Sequence, residues 1–165
     1  MVPTRTAPVI ISASYRTDIP TFYGEWFMNR LRAGHCLAVN PYNGRTTRIP
    51  LDPPSVDGFV FWTKNLSRFL TYLPEIRRRG YPFVITYSIN DYPRALEGSV
   101  ADADRSIDVF HWTADMFGPR VCVWRYDPIL ITSFTPAEFH LRSFERLAKR
   151  LSGATDEVVV SFAHI

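Results

Sequence analysis

Two segments of the chain carry the same arrangement of chemically active side chains. YRTDIP and WRYDPI each place an arginine two positions before an aspartate, with a proline soon after. In extended backbone, residues two apart project to the same side, so Arg16 and Asp18 are predicted to face one way, as are Arg125 and Asp127. A guanidinium at this position can donate two hydrogen bonds to a carboxylate or phosphate, while the aspartate holds the guanidinium in place or acts as a base. The alternative is an Arg–Asp pair that only fastens a loop.

A third segment, WTKN, combines Trp62, Lys64 and Asn65. A lysine at the end of a strand becomes a general base or a Schiff-base amine when burial lowers its pKa. Otherwise it acts as an electrostatic clamp or is simply solvated. Trp62 and Trp124 lie at corresponding points of two predicted strands and are candidates for a platform on which a flat ligand stacks. Ordinary packing is the alternative for this pair.

The candidate site residues share one position, the end of a predicted strand. Those assigned to catalysis are Lys64, Asp18 and Asp127, and those assigned to ligand binding are Arg16, Trp62, Asn65, Tyr87, Trp124 and Arg125. Weaker candidates are Asn90, Asp91, Ser161 and His164.

No metal site is predicted. His35, His111 and His140 have no partner at a metal-ligand spacing, and the chain contains neither an HExxH motif nor a nucleophile elbow. The two cysteines, Cys36 and Cys122, form no CxxC motif, so reduced thiols in a cytosolic protein are expected.

Five apolar, β-prone runs must position these side chains. They cover residues 9–13, 59–61, 83–86, 121–123 and 158–160, and each stops in a cluster of polar and aromatic residues. Runs that are apolar at nearly every position are typical of strands in a parallel sheet, where the loops at the carboxyl ends build the ligand site. Helices are predicted over 21–32, 67–79 and 102–117 and from Thr135-Pro136 onward, with a hairpin turning at Asn43-Gly44.

This alternation of strands and helices indicates an α/β fold with a parallel sheet of βα repeats. It fits a small doubly wound sheet or a partial, truncated TIM-like (β/α) barrel with about five strands. Two observations favour the barrel: no glycine-rich phosphate loop follows the first strand, and polar residues end every strand. The chain is then a single domain, 1–165, incomplete at its C-terminus. Its last strand leaves a hydrophobic edge that invites self-association or a completing chain.

Composition limits the partners. The hydrophobic fraction of 46% is ample for a packed core, and no stretch approaches the length of a membrane span. A formal charge of +3 is too weak to indicate nucleic acid. A cytoplasmic protein without membrane association is expected, with a small molecule as its ligand.

Several long strings of the sequence resemble a bacterial family known only as a domain of unknown function. They are ISASYRTDIPTFYGEWFMNRLRAGHC, NPYN, DGFVFWTKN, RVCVWRYDPILIT, FHLRSFERLAKRL and VVVSF, and together they cover essentially the whole chain. Longer members carry a C-terminal cysteine cluster similar to the iron–sulfur motif of radical S-adenosylmethionine enzymes. The resemblance therefore implies a barrel that performs radical or iron–sulfur chemistry.

The present chain ends before that cluster. A cubane cluster needs three or four converging thiolates, so two cysteines are not enough, and this chain is expected to hold no cofactor and to be inactive alone. Two main hypotheses follow. The strand ends form a binding site for a small, anionic molecule, or the chain is a non-catalytic assembly module that pairs through its last strand.

Overall fold

The computed structural model of the protein describes residues 8–14 and 16–163, so two residues of the segments discussed above, Tyr15 and His164, lie outside the described part. In chain order the elements are β1 (Ile10–Ser12), α1 (Ile19–Phe22), α2 (Gly24–Ala33), β2 (His35–Val39), β3 (Thr46–Pro50), a 3₁₀ helix (Pro53–Ser55), β4 (Gly58–Thr63), α3 (Leu73–Arg78), β5 (Phe83–Ser88), α4 (Ala103–Phe117), β6 (Cys122–Ile129), α5 (Ala137–Leu151) and β7 (Val158–Phe162).

Five of the strands form one sheet, in the order β1-β4-β5-β6-β7, and every neighbouring pair is parallel. The predicted α/β fold with a parallel βα repeat is confirmed. The spatial order follows the chain order, whereas a doubly wound sheet reverses its order at a switch point. The TIM-like barrel stays a prediction.

The core lies on one face of this sheet. Residues in register share a face of the sheet, and so do residues two apart in one strand. Phe59 of β4, Tyr87 of β5 and Trp124 of β6 therefore lie on the same face. The contacting ring pairs are Phe27 with Phe59 at 5.2 Å, Phe110 with Tyr87 at 6.0 Å, and Phe144 with Trp124 at 5.0 Å between centroids. Helices α2, α4 and α5 therefore pack on the same face. Trp62, Arg125 and Asp127 alternate onto the opposite face.

The hairpin β2–β3 is antiparallel and turns where the sequence predicts. The Asn43 side chain accepts a hydrogen bond from the Arg45 N–H at 3.0 Å, and Gly44 takes a φ of 67°. A left-handed φ is one that glycine adopts at little cost, so the Asn-Gly pair fits this turn.

Two predicted helices differ from the observed ones. The helix expected over 21–32 is split into α1 and α2, and it starts earlier. A Cβ on Gly24, at the start of α2, would lie only 2.7 Å from Tyr72 Cε2, so the glycine permits this close approach. The helix expected over 67–79 is confined to α3, because Pro74 lies in its first turn and would break a longer helix.

The helix predicted from Thr135-Pro136 onward starts at Ala137 in the structure. Pro136 is the N-cap residue and makes no side-chain capping bond. The hydroxyl of Thr135 instead donates to the Leu130 carbonyl at 2.7 Å, which ties the loop back to the end of β6. In the described part of the chain, no helix has both the length and the apolar character needed to cross a membrane.

Candidate functional site

A cavity of 340 Å³ lies at the carboxyl ends of the central strands, with the loop after β1 forming one side. Six of the nine predicted site residues line it: Arg16, Asp18, Trp62, Lys64, Arg125 and Asp127. Ser88, the last residue of β5, also lines it. The volume lies at the lower end of the range for small-molecule sites. We call this cavity the rim site.

Arg125 is the best-positioned cation of the rim site. Its Cζ lies 4.4 Å from the centroid of the Trp62 ring, and its Nε donates to Asp127 Oδ1 at 2.9 Å. Arg125 Nη2 donates to the other carboxylate oxygen, so the contact is bidentate. The side chains are 18% and 9% exposed, which makes this a largely desolvated pair. Arg125 and Asp127, which are predicted to project to the same side of one strand, therefore pair with each other.

Asp18 is held by the loops around it. Its Oδ1 accepts the Thr21 N–H at 2.8 Å and so caps α1. Its Oδ2 accepts the Thr63 hydroxyl at 3.0 Å and the Lys64 N–H at 3.1 Å. Both carboxylate oxygens are occupied, and they fasten the loop after β1 to the end of β4.

Lys64 and Arg16 also line the rim site, Arg16 from the loop after β1 and Lys64 from the end of β4. The Lys64 ammonium forms an ion pair with Glu97, a residue of the loop between β5 and α4. Arg16 Nη1 donates to the Val39 carbonyl at 2.8 Å, which links the rim site to the hairpin. Among the described residues, the Nε and Nη2 groups of Arg16 have no partner.

Three predicted site residues do not line this cavity. Tyr87 and Trp124 lie on the helix-covered face, where both are buried. The Trp124 indole N–H donates to the Ile89 carbonyl at 3.0 Å. Trp62 lies on the opposite face of the sheet, so the two rings form no common platform, and the alternative, ordinary packing, describes Trp124. Asn65 shapes its own turn, since its Oδ1 accepts the Ser67 N–H at 3.2 Å.

The weaker candidates are placed around the rim. Ser161 donates to Asp127 Oδ2 at 3.4 Å, and Asp91 pairs with Arg146. Buried Asn90 donates from Nδ2 to the Asp127 carbonyl at 3.0 Å, while its Oδ1 has no partner in the described part of the chain. Asn90 lines a separate cavity of 310 Å³, which also contains Ser88.

Glu97 and Ser88 were missed by the sequence interpretation. Glu97 lies in a polar loop with no motif, and no signal in the sequence connects it to Lys64. Ser88 was within reach, because it lies in the polar cluster that directly follows the predicted run 83–86.

The cysteines do not fit an iron–sulfur cluster. Such a cluster needs three or four converging thiolates, whereas the sequence contains two cysteines, and Cys122 is buried within β6, where burial raises the pKa of its thiol to about 12. Cys36 lies in β2, and partial burial raises the pKa of its thiol as well. Within residues 8–14 and 16–163, no group of three His, Cys, Asp or Glu side chains is arranged to hold a metal ion.

Comparison with known proteins identifies the family of the chain. No curated protein matches the chain significantly, and neither does any solved structure. Residues 10–165 match a family described as Domain of unknown function (DUF1848). Because the match spans nearly the whole sequence, the chain belongs to the DUF1848 family.

Proposed function

We propose that the rim site binds a small anionic molecule, with Arg125 as its principal contact and Arg16 as a second. The proposal depends on one observation, the way in which the guanidinium of Arg125 is held. Nε and Nη2 are held by Asp127 and the ring of Trp62 lies beside the group, while Nη1 has no partner among the described residues. An arginine fixed in this way is pre-organised to donate to a carboxylate or phosphate.

The charge of the rim site supports an anion. Arg16, Lys64 and Arg125 line it, against two acidic side chains, Asp18 and Asp127. The two carboxylates are already occupied by hydrogen bonds from the protein itself. Nη1 of Arg125 and the Nε and Nη2 groups of Arg16 therefore remain free to donate to a ligand, and the buried Ser14 hydroxyl, which also lines the site, has no partner in the described part of the chain either.

The three residues assigned to catalysis receive other roles in this proposal. Asp127 orients Arg125, and Asp18 orients the loops that carry Arg16 and Lys64. Lys64 contributes positive charge to the rim site. Its ammonium is ion-paired with Glu97 and partly exposed, whereas Schiff-base chemistry needs a desolvated lysine.

We further propose that the sheet is part of a TIM-like barrel. The strands follow one another in chain order, and α2, α4 and α5 pack on one face, as the outer helices of such a barrel do. The rim site lies at the carboxyl ends of the strands, where barrel proteins bind their ligands.

Titration with inorganic phosphate and with acetate tests the binding proposal. The unfolding temperature of the native sequence should rise with phosphate concentration, beyond the effect of sodium chloride at equal ionic strength. Arg125→Gln should abolish this rise. Arg120→Gln is the matched control, because Arg120 is an exposed arginine paired with Asp156 outside the rim site. An equal rise in both variants would refute the assignment of Arg125.

A second candidate function, assembly through β7, is favoured by a specific observation. Val158, Val160 and Phe162 are exposed although they lie on the face that the helices cover in the other strands. β7 is also an edge of the sheet, so its backbone is open to another strand. Sedimentation of Val160→Lys tests this: assembly predicts a self-associating native chain and a monomeric variant.

A further inference from the structure

An apolar cavity of 490 Å³ lies beside the rim site, between the hairpin strand β2 and the helices α1 and α2. Tyr23 and Trp26 line it from the helical side, and Leu37 and Val39 line it from β2. We call it the apolar groove. Its volume is sufficient for an aromatic ring or a short alkyl chain.

The side chains of the apolar groove are unusually exposed for their size. Trp26 is 47% exposed and Leu37 is 62% exposed, and the two line the same cavity. Single exposed apolar side chains are common on protein surfaces, but several lining one concave surface are typical of a binding site. Burying this surface against a ligand would be favourable.

Arg16 joins the apolar groove to the rim site. Arg16 and Thr17 line both cavities, so the two spaces meet at this turn. Arg16 is the single charged side chain among the described residues that line the apolar groove. Its Nη1 bond to the Val39 carbonyl holds the guanidinium at the boundary between the apolar and the charged surface.

We infer that the ligand is amphipathic: a carboxylate or phosphate ester that carries an apolar chain or ring. This inference rests on the proposed function, which supplies the site for the charged head. The head lies at the donors of Arg125 and Arg16, and the apolar part lies against Trp26 and Leu37. The groove lining is uncharged except for Arg16, which lies where the groove meets the rim site. This arrangement supports a small ligand that is charged at one end only.

Binding of butyrate and octanoate, measured by calorimetry, tests the inference. Both carry the same head, and octanoate adds four methylenes. Full burial of a methylene tightens binding by about fourfold, the equivalent of about 0.8 kcal/mol. The groove is partly open, so we expect octanoate to bind at least about tenfold more tightly than butyrate. Octan-1-ol, which lacks the charge, should bind more weakly than octanoate.

Two leucine variants locate the alkyl chain. Leu37→Ser should remove most of the gain from chain length and leave the butyrate Kd unchanged. Leu141→Ser is the matched control, since Leu141 is 72% exposed on α5, outside both cavities, and it should change neither Kd. Trp26→Leu removes the indole ring from the groove and should also reduce the gain from chain length, which gives a second variant if the first disturbs the hairpin.

The outcomes separate the inference from the proposed function. Equal Kd values for butyrate and octanoate, both weakened by Arg125→Gln, would refute the amphipathic ligand and leave the anion site standing. A length-dependent gain that survives both Leu37→Ser and Trp26→Leu would also refute it, because the chain would then lie elsewhere. Octan-1-ol binding as tightly as octanoate would refute the amphipathic ligand, because the charged head would then contribute nothing. No binding of either carboxylate would refute it as well, and the phosphate titration then decides whether the anion site stands.

Discussion

The guanidinium of Arg125 reaches the ring of Trp62 across an intervening strand. Trp62 belongs to β4 and Arg125 to β6, and β5 lies between them. On the same face of β5 stand Thr86, in register with Trp62, and Ser88, in register with Arg125. Both side chains are small, so the longer arginine and tryptophan side chains meet above them. The contact therefore depends on three strands at once.

Removing Arg125 should destabilise the protein, whereas removing Arg16 should not. Arg125→Ala leaves Asp127, whose side chain is 9% exposed, without its bidentate partner. Such an uncompensated carboxylate costs about 1–3 kcal/mol of unfolding free energy. Arg16 is exposed, so Arg16→Ala should cost less than about 0.5 kcal/mol. Urea unfolding of the two variants makes the comparison, and equal costs would contradict the role of Asp127 as a buried partner.

Neutralising Glu97 should strengthen anion binding. Glu97→Gln frees the Lys64 ammonium, which lines the rim site, from its ion pair. A unit charge a few ångströms from a bound anion, partly screened by water, contributes about 1 kcal/mol, or about fivefold in Kd. The Kd for phosphate should fall accordingly at low salt, and the gain should shrink as salt is added.

Glu145→Gln is the matched control for this experiment. Glu145 is ion-paired with Lys149 on α5, so the substitution makes the same change in net charge outside the rim site. It should leave the phosphate Kd within about twofold of the native value, because exposed charges more than about 8–10 Å away are screened. An equal effect of both substitutions would show that net charge, and not Lys64, controls binding.

The local part of the site could be predicted from the sequence. The alternation of side chains along a strand placed Arg125 and Asp127 on one side, and the structure shows them hydrogen-bonded to each other. Strand ends in a parallel sheet meet at one edge, and that rule brought Arg16 and Lys64 near them. Both arguments need only the chain itself and the type of element.

The register between strands could not be predicted in this way. Trp62 and Trp124 occupy similar positions in their runs, but Trp62 pairs with Thr86 while Trp124 pairs with Tyr87. A difference of one residue moves a side chain to the other face of a sheet. Packing against Phe144 of α5 accompanies this register, and a contact of that kind is not visible in the spacing of one segment. The Lys64–Glu97 pair was missed because Glu97 lies in a loop, whose position relative to β4 does not follow from the spacing of the sequence.

Asp18 should prove more important for stability than an ordinary helix cap. Asp18→Ala removes the cap of α1 and two further hydrogen bonds, those from the Thr63 hydroxyl and the Lys64 N–H. We expect a loss of about 2–3 kcal/mol in unfolding free energy. Asp102→Ala is the matched control, because Asp102 caps α4 through a single bond from the Arg105 N–H, and it should cost about 1 kcal/mol. Similar losses would mean that the bonds to β4 contribute little.

The buried thiol of Cys122 should make the protein less stable as the solution becomes alkaline. Burial raises the pKa of this thiol to about 12 in the folded state, against about 8.5 in an unfolded chain. At lower pH the thiol keeps its proton in both the folded and the unfolded state, so it contributes no pH dependence to the unfolding free energy. As the pH rises beyond the unfolded value, the unfolded chain releases a proton that the folded chain retains, and unfolding becomes more favourable.

The full slope from one such group is about 1.4 kcal/mol per pH unit. Burial also raises the pKa values of Tyr81, Tyr87, Tyr92 and Tyr126, so these side chains begin to add to the effect above about pH 9, where tyrosines of the unfolded chain start to ionise. Urea unfolding under reducing conditions between about pH 7.5 and pH 9, where tyrosines keep their protons almost completely in both states, therefore isolates the cysteines. Cys122→Ala should flatten the pH dependence even though it lowers stability at every pH, while Cys36→Ala, which removes a thiol that is only partly buried, should flatten it less. A Cys122→Ala profile parallel to that of the native chain would show that the Cys122 thiol ionises in the folded protein as readily as in the unfolded one.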